Sequence, residues 1–192
     1  MILDFTNINR WVLSFIKRIM LLTLMLSALP SCAVNISNPI VTIQEATPDF
    51  YTCNITNKNG DVILSETIYR LEPTYKYVSD TVVEVRIGIG TALTRSIFYD
   101  TETDVLSCWI YDTIASDGFV VAYVAETPAG ELAIVIQDVF SDEIVATIFR
   151  DFSPVANPGG IIISADLLGE NALKVTYLTG TEYEQKHEII RY

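Results

Sequence analysis

From Phe50 onward the chain is written in strand-length apolar runs separated by turn residues, and that pattern leaves little room for helix. Val83, Val85, Ile87 and Ile89 alternate with Glu84, Arg86, Gly88 and Gly90. A period of two sends one set of side chains to a buried face and the other to a wet face. Leu173, Val175 and Tyr177 alternate with Lys174 and Thr176 in the same way. By contrast, Leu132-Ala133-Ile134-Val135-Ile136 and Ile161-Ile162-Ile163 are continuous apolar runs, the pattern expected of central strands covered on both faces. Turn chemistry divides the runs at Asn57-Lys58-Asn59-Gly60-Asp61, Asp117-Gly118, Pro128-Ala129-Gly130, Asn157-Pro158-Gly159-Gly160 and Gly169-Glu170-Asn171. No long amphipathic helix is legible beyond residue 32. The expected fold is all-β.

The punctuation also carries a weak repeat. Apolar runs open at Val83, Phe119 and Ile161, spaced by 36 and 42 residues. Phe98-Tyr99-Asp100-Thr101-Glu102-Thr103 and Ile136-Gln137-Asp138-Val139-Phe140-Ser141 each place an aspartate after an apolar strand, with a turn and another strand following. Phe98 to Leu106 resembles the strand–Asp-Thr-turn–strand hairpin common in bacterial β-propellers, and the resemblance extends over residues 83–192 without a Trp-Asp blade signature. A period near 40 with several strands per unit belongs to propeller blades. The expectation is therefore propeller-like blades of short antiparallel strands, with a β-sandwich as the alternative. The chain has room for about four blades, near the lower limit for closure.

Ahead of that domain lies a segment of another kind. Arg10, Lys17 and Arg18 are basic, Ile19 to Leu29 is a near-continuous apolar run of 11 residues, and Ser31 precedes Cys32. That order is the layout of a secretory signal. Leu29-Pro30-Ser31-Cys32 resembles the lipobox of bacterial lipoproteins. The resemblance implies that residues 1–31 are removed and that Cys32 is diacylglycerylated as the new N-terminus. It departs from the pattern at Pro30. A transmembrane helix reaching back to Trp11 would place Lys17 and Arg18 within the span, each costing about 2.5–3.5 kcal/mol near its centre. A plain secretory signal cut elsewhere is the remaining alternative. Two acyl chains suffice for stable attachment, so the domain itself would need no membrane-binding patch. The implied organisation is a signal peptide over 1–31, a lipidated N-terminus and polar tether over 32–49 carrying Pro39 and Pro48, and a single all-β domain over 50–192. The implied location is the bacterial cell envelope, outside the cytoplasm and tethered to a membrane.

Charge divides at the same point. Nine of the 12 Lys+Arg and 23 of the 24 Asp+Glu follow residue 31, a formal charge of −14. Such a surface opposes nucleic acid, whose binding is dominated by Lys and Arg on phosphates, and an ordinary role of such acidity is solubility. With Cys32 acylated, Cys53 and Cys108 are the thiols that remain, candidates for one disulfide in an oxidising envelope or for two separate packed thiols.

Motifs of catalysis are sparse. His187 is the only histidine, in a polar strand-like stretch that suits a solvated side chain. No Gly-x-Ser-x-Gly elbow occurs. Asp100, Glu102 and Asp104 alternate as in a Ca²⁺ loop, but Val105 stands where an EF-hand needs glycine. Asp138, Asp142 and Glu143 form a second acidic cluster that reads as a solvated turn. No catalytic residue, metal site or cofactor is assigned. The binding hint is aromatic: Tyr99, Trp109 and Tyr111 are candidate ligand-binding rings, offering apolar area with a polar edge to a sugar or peptide, and the same spacing serves a core equally well. The chain broadly resembles bacterial lipoproteins with a single β domain. The expected function is a membrane-anchored, non-catalytic binding or structural module. Two alternatives stand beside it: a carbohydrate-processing enzyme of the envelope, and an inhibitor or protective protein that meets a basic partner through an acidic face.

Overall fold

A computed structural model describes residues 40–90, 93–154, 158–169 and 171–192. The leader and Cys32, with its expected lipid, lie outside the described residues. Four antiparallel sheets follow one another along the chain, each built from consecutive strands. The first holds β1 (Val41–Thr47), β2 (Phe50–Thr56) and β3 (Val62–Tyr69). The second holds β4 (Thr74–Tyr77), β5 (Val82–Gly90), β6 (Leu93–Asp100) and β7 (Val105–Leu106), with β8 (Ile110–Tyr111) also on β6. The third holds β9 (Thr113–Ser116), β10 (Val120–Glu126), β11 (Leu132–Asp138) and β12 (Ile144–Phe149). The fourth holds β13 (Ile162–Leu168), β14 (Ala172–Thr179) and β15 (Glu184–Arg191). The protein is all-β, as the alternation requires. Strands begin earlier than expected, however. Val41–Thr47, assigned to the tether, pairs with β2 from Val41↔Ile55 to Thr47↔Phe50, and Pro48 marks the turn of a hairpin rather than a linker.

The turns fall where glycine, asparagine and aspartate placed them. Asn57–Asp61 and Thr127–Glu131 close two hairpins identically: the N–H of the first residue donates to the carbonyl of the fifth (2.9 and 2.8 Å), and Gly60 and Gly130 hold φ of 90° and 79°. A side chain would strain that left-handed position.

The second and third sheets share a register of 38 residues. The Val82 N–H donates to Ser79 Oγ and the Val120 N–H to Asp117 Oδ1 (3.1 and 2.9 Å). Thr101 N–H donates to Thr81 O, and Val139 N–H to Phe119 O (2.9 and 2.8 Å). Asp104 and Asp142 both adopt positive φ, 65° and 60°. The repeat read from Val83 and Phe119 is therefore present between these two sheets, with 38 in place of 36.

Packing between the sheets explains the departures from simple alternation. Val83, Val85, Ile87, Ile97 and Tyr99 face the first sheet in one core; Val82 and Phe98 face Val121 and Val139 of the third sheet in another. A third core joins Ile134 and Ile136 to Leu173, Val175 and Tyr177. The second sheet is thus covered on both faces, and the face of β5 expected to be wet is not: Glu84 is 1 % exposed. Its carboxylate accepts from Arg86 Nη2 and Ser96 Oγ, both at 2.8 Å, and Lys76 Nζ lies 3.2 Å away. Burial alone would raise its pKa, but Arg86, Ser96 and Lys76 together hold it below the usual carboxylate value. In β11 the continuous run is covered on both faces as expected, Ala133 to Ile136 all being buried. Ile161–Ile163 is not a central strand. Ile161 is buried in the 3-10 turn Pro158–Ile161, while β13 is the outer strand of its sheet and Ile163 is 49 % exposed. The run straddles a turn–strand junction, so its residues leave the core one by one.

Replacing Glu84 with glutamine keeps the volume and removes the charge that Arg86 and Lys76 answer. The expected loss is about 1–3 kcal/mol at pH 7, measured as a lowered denaturation midpoint. Because the folded-state pKa is depressed, the contribution is complete above about pH 4.5 and fades as the pH falls through the folded value. The gap between wild type and Glu84→Gln should therefore narrow in acid; a gap independent of pH contradicts the ion cluster.

Candidate functional site

The junction of the second and third sheets opens to solvent as a groove of about 500 Å³, lined by Cys108, Trp109, Ile110, Tyr111, Tyr123, Val124, Ala125, Gln137 and Asp142. Its two walls come from short irregular pieces and long regular ones. Cys108 and Trp109 occupy the link between β7 and β8, where strand pairing lapses, and Tyr111 ends β8. Tyr123 and Gln137 come from β10 and β11, and Asp142 from the turn before β12, where its left-handed backbone turns the chain sharply.

One polar chain crosses the groove. The Tyr123 hydroxyl donates to Gln137 Oε1 (2.8 Å), Gln137 Nε2 donates to Asp142 Oδ1 (3.2 Å), and the Cys108 thiol lies 3.3 Å from Asp142 Oδ2. The glutamine is thereby fixed in one orientation, with its oxygen toward the phenol and its amide toward the carboxylate. The hydrogen bond to Asp142, then its charge, pushes the Cys108 thiol above the ordinary value; burial and then Asp142 do the same for the Tyr123 phenol. Neither group is tuned toward reactivity at neutral pH, since a nucleophilic cysteine needs its thiolate favoured. Trp109 is half-buried, with the Arg95 guanidinium 4.0 Å from its ring centroid, a cation–π contact that fixes the indole from behind. Tyr111 is 53 % exposed.

Of the three rings named from the sequence, Trp109 and Tyr111 meet in this groove and Tyr99 does not. Tyr99 is 1 % exposed in the first core, and its hydroxyl bonds to Asp104. Its place on the inner face of β6 makes it structural. Cys53 and Cys108 are both free thiols. Cys53 is buried among Ile55 and Val85, with its pKa pushed to about 11 by burial and then by Glu66, while Cys108 is exposed and turned toward Asp142 of the third sheet. The pair is not bridged in the structure. His187 is exposed on β15, its Nδ1 2.9 Å from Thr176 Oγ1. In the Asp100 turn, that carboxylate takes the Glu102 N–H (2.9 Å) and the Thr103 hydroxyl (2.7 Å). Among the described residues no group of three His, Cys, Asp or Glu is placed to hold a metal ion.

Sequence reasoning missed Tyr123 and Gln137 and left Asp142 in an acidic cluster. The 38-residue register was the available signal: Tyr99 and Asp104 bond across the turn after β6, and Gln137 and Asp142 do so across the turn after β11. The same scaffold position is filled with a buried phenol in one sheet and a groove-lining amide in the next. Comparison with protein-family models gives no match, and comparison with curated proteins gives none either.

With Cys32 replaced by serine, a maleimide should label Cys108 in the folded chain and Cys53 only after denaturation. The Cys108 rate should keep rising above pH 9, and Asp142→Asn should speed it several-fold at pH 8. A rate already maximal at pH 7 contradicts the placement of that thiol beside a carboxylate.

Proposed function

We propose that this chain is a lipid-anchored module of the bacterial envelope that binds a ligand without transforming it, and that the ligand is a neutral glycan held in the groove between the second and third sheets. In this reading the lipobox-like segment delivers an acylated Cys32, the domain projects from the membrane, and the sheets stack as propeller-like blades in which the shared 38-residue register is one blade step. What carries the reading is the composition of the groove. Trp109, Tyr111 and Tyr123 supply ring surface, Gln137 and Asp142 supply fixed hydrogen-bonding groups beside it, and Asp142 is the one carboxylate in the lining. Aromatic faces suit the apolar face of a pyranose, while amide and carboxylate suit its hydroxyls. Hydrolysis of a glycoside ordinarily takes two carboxyl groups roughly 5–10 Å apart, one of them kept protonated, and this lining supplies a binding group without that partner. The single-carboxylate groove therefore favours binding over processing.

Two measurements test the two halves. Labelled palmitate fed to bacteria expressing the chain should enter the wild type and not Cys32→Ala, and the mature mass should lack residues 1–31; equal labelling of both contradicts the anchor. For the groove, Trp11→Phe leaves Trp109 as the only indole, and titration with cello-, malto- and N-acetylglucosamine hexamers should give saturable emission change for at least one. Tyr111→Ala should weaken that binding about fivefold, the equivalent of ~1 kcal/mol of ring contact. No saturable change, or release of new reducing ends, contradicts a non-catalytic glycan module.

A further inference from the structure

A second groove, of about 610 Å³, opens where the first sheet meets the second, and its lining is of a different character: Ile68, Tyr69, Arg70 and Leu71 on one side, Ile87, Gly88, Ile89 and Arg95 on the other, with Thr67 and Gly90 at its ends. Two of the nine basic residues that follow the leader stand in this one lining, and no acid does, although acids outnumber bases more than two to one over the same stretch. Arg95 is partly committed, giving Nη2 to Glu66 at 3.1 Å and stacking on Trp109, while its buried Nε has no partner among the described residues. Arg70 is differently placed. It forms no ion pair within 4.0 Å among the described residues, and its guanidinium lies 4.7 Å from the centroid of the Tyr69 ring.

The backbone that presents Arg70 is specifically held. Its φ is 67°, a left-handed conformation that arginine seldom adopts, and its N–H donates to Asp49 O at 2.6 Å. Phe50 packs on Tyr69 with centroids 5.1 Å apart. Leu71 then seats against Gly88, where an added Cβ would come within 2.6 Å of Leu71 Cδ1. The floor, Ile68 and Ile87, is buried; the rim, Tyr69, Leu71 and Ile89, is exposed. The result is an apolar trough with an unpaired guanidinium at its edge, in a size range typical of small-ligand sites.

We propose that this groove binds a small amphiphilic carboxylate, its head group on Arg70 and its apolar body along Tyr69, Leu71 and Ile89. The guanidinium fork matches a carboxylate in two parallel hydrogen bonds, and the acidic remainder of the surface would exclude such an anion elsewhere. The inference goes beyond the glycan reading and does not rest on it, since the two ligands are titrated separately and the grooves lie on opposite faces of the second sheet.

The test uses the full chain, with calorimetry as the readout and 4-phenylbutyrate, its neutral counterpart 4-phenylbutanol and inorganic phosphate as probes. Saturable binding of the carboxylate is expected, at least tenfold tighter than the alcohol and weakened by added salt, with phosphate alone weaker than the carboxylate for want of an apolar body. Arg70→Gln should reduce carboxylate affinity at least tenfold. Ile89→Glu, an exposed rim substitution that leaves Arg70 in place, should do the same by repulsion. Absence of saturable carboxylate binding, equal affinity for acid and alcohol, phosphate binding as tight as the carboxylate, or wild-type affinity in folded Arg70→Gln and Ile89→Glu variants overturns the proposal.

Discussion

The hairpin of β5 and β6 carries two cores at once. Val83, Val85, Ile97 and Tyr99 close against the first sheet, and Val82 and Phe98 close against the third. A sheet covered on both faces has no solvent side on which to put a charge, yet the sequence of β5 interposes Glu84 and Arg86 between its valines. The conflict is resolved by placing Glu84 against Arg86, Ser96 and Lys76, whose charged ends reach solvent while the carboxylate does not. A buried charge is tolerated only when it is paired and hydrogen-bonded. The other sheets attach to this one or to its neighbour, so the arrangement of the domain depends on that pairing being complete.

Each junction between successive sheets also carries one polar contact at its edge. Arg95 meets Glu66 between the first and second sheets, Cys108 meets Asp142 between the second and third, and Arg150 meets Glu188 between the third and fourth. The hydrophobic cores supply most of the favourable free energy, being the apolar area removed from water. The polar contacts are partly exposed and contribute less, but they are directional, and they fix how each sheet is turned relative to the next. Both grooves lie where a junction is incompletely filled. Arg95 lines one and supports Trp109 of the other, so this cation–π pair forms a shared wall of the second sheet's outer end.

Alternation and turn residues made the strands legible because both are local. Asn57–Asp61 and Thr127–Glu131 needed no tertiary information to become turns, and the β11 run of Ala133 to Ile136 announced an interior strand. What the sequence left dark was which faces meet. The polar set of β5 reads as solvent-facing until a third sheet is laid on it, and then Glu84 becomes interior. Tyr99 and Tyr111 are the same residue type in adjacent strands of one sheet; only the span of the first sheet decides that one is core and the other lines a groove. The strand Val41–Thr47 was hidden by prolines on either side of it, which read as a tether but serve as boundaries of a hairpin. Tyr123, Gln137 and Asp142 converge only because β10, β11 and the following turn fold together, although the 38-residue register joined Asp104 to Asp142 in advance.

Native-state hydrogen exchange tests the central place of the second sheet most directly. Amides that open only with global unfolding exchange slowest. The account predicts that the Val83, Val85, Ile97 and Phe98 amides are the slowest in the domain, and that Glu84→Gln raises their exchange rates by the factor corresponding to its loss of stability. Slower exchange in the outer strands β12 or β15 than in β5 and β6, or unchanged β5–β6 rates in a destabilised Glu84→Gln variant, would contradict it.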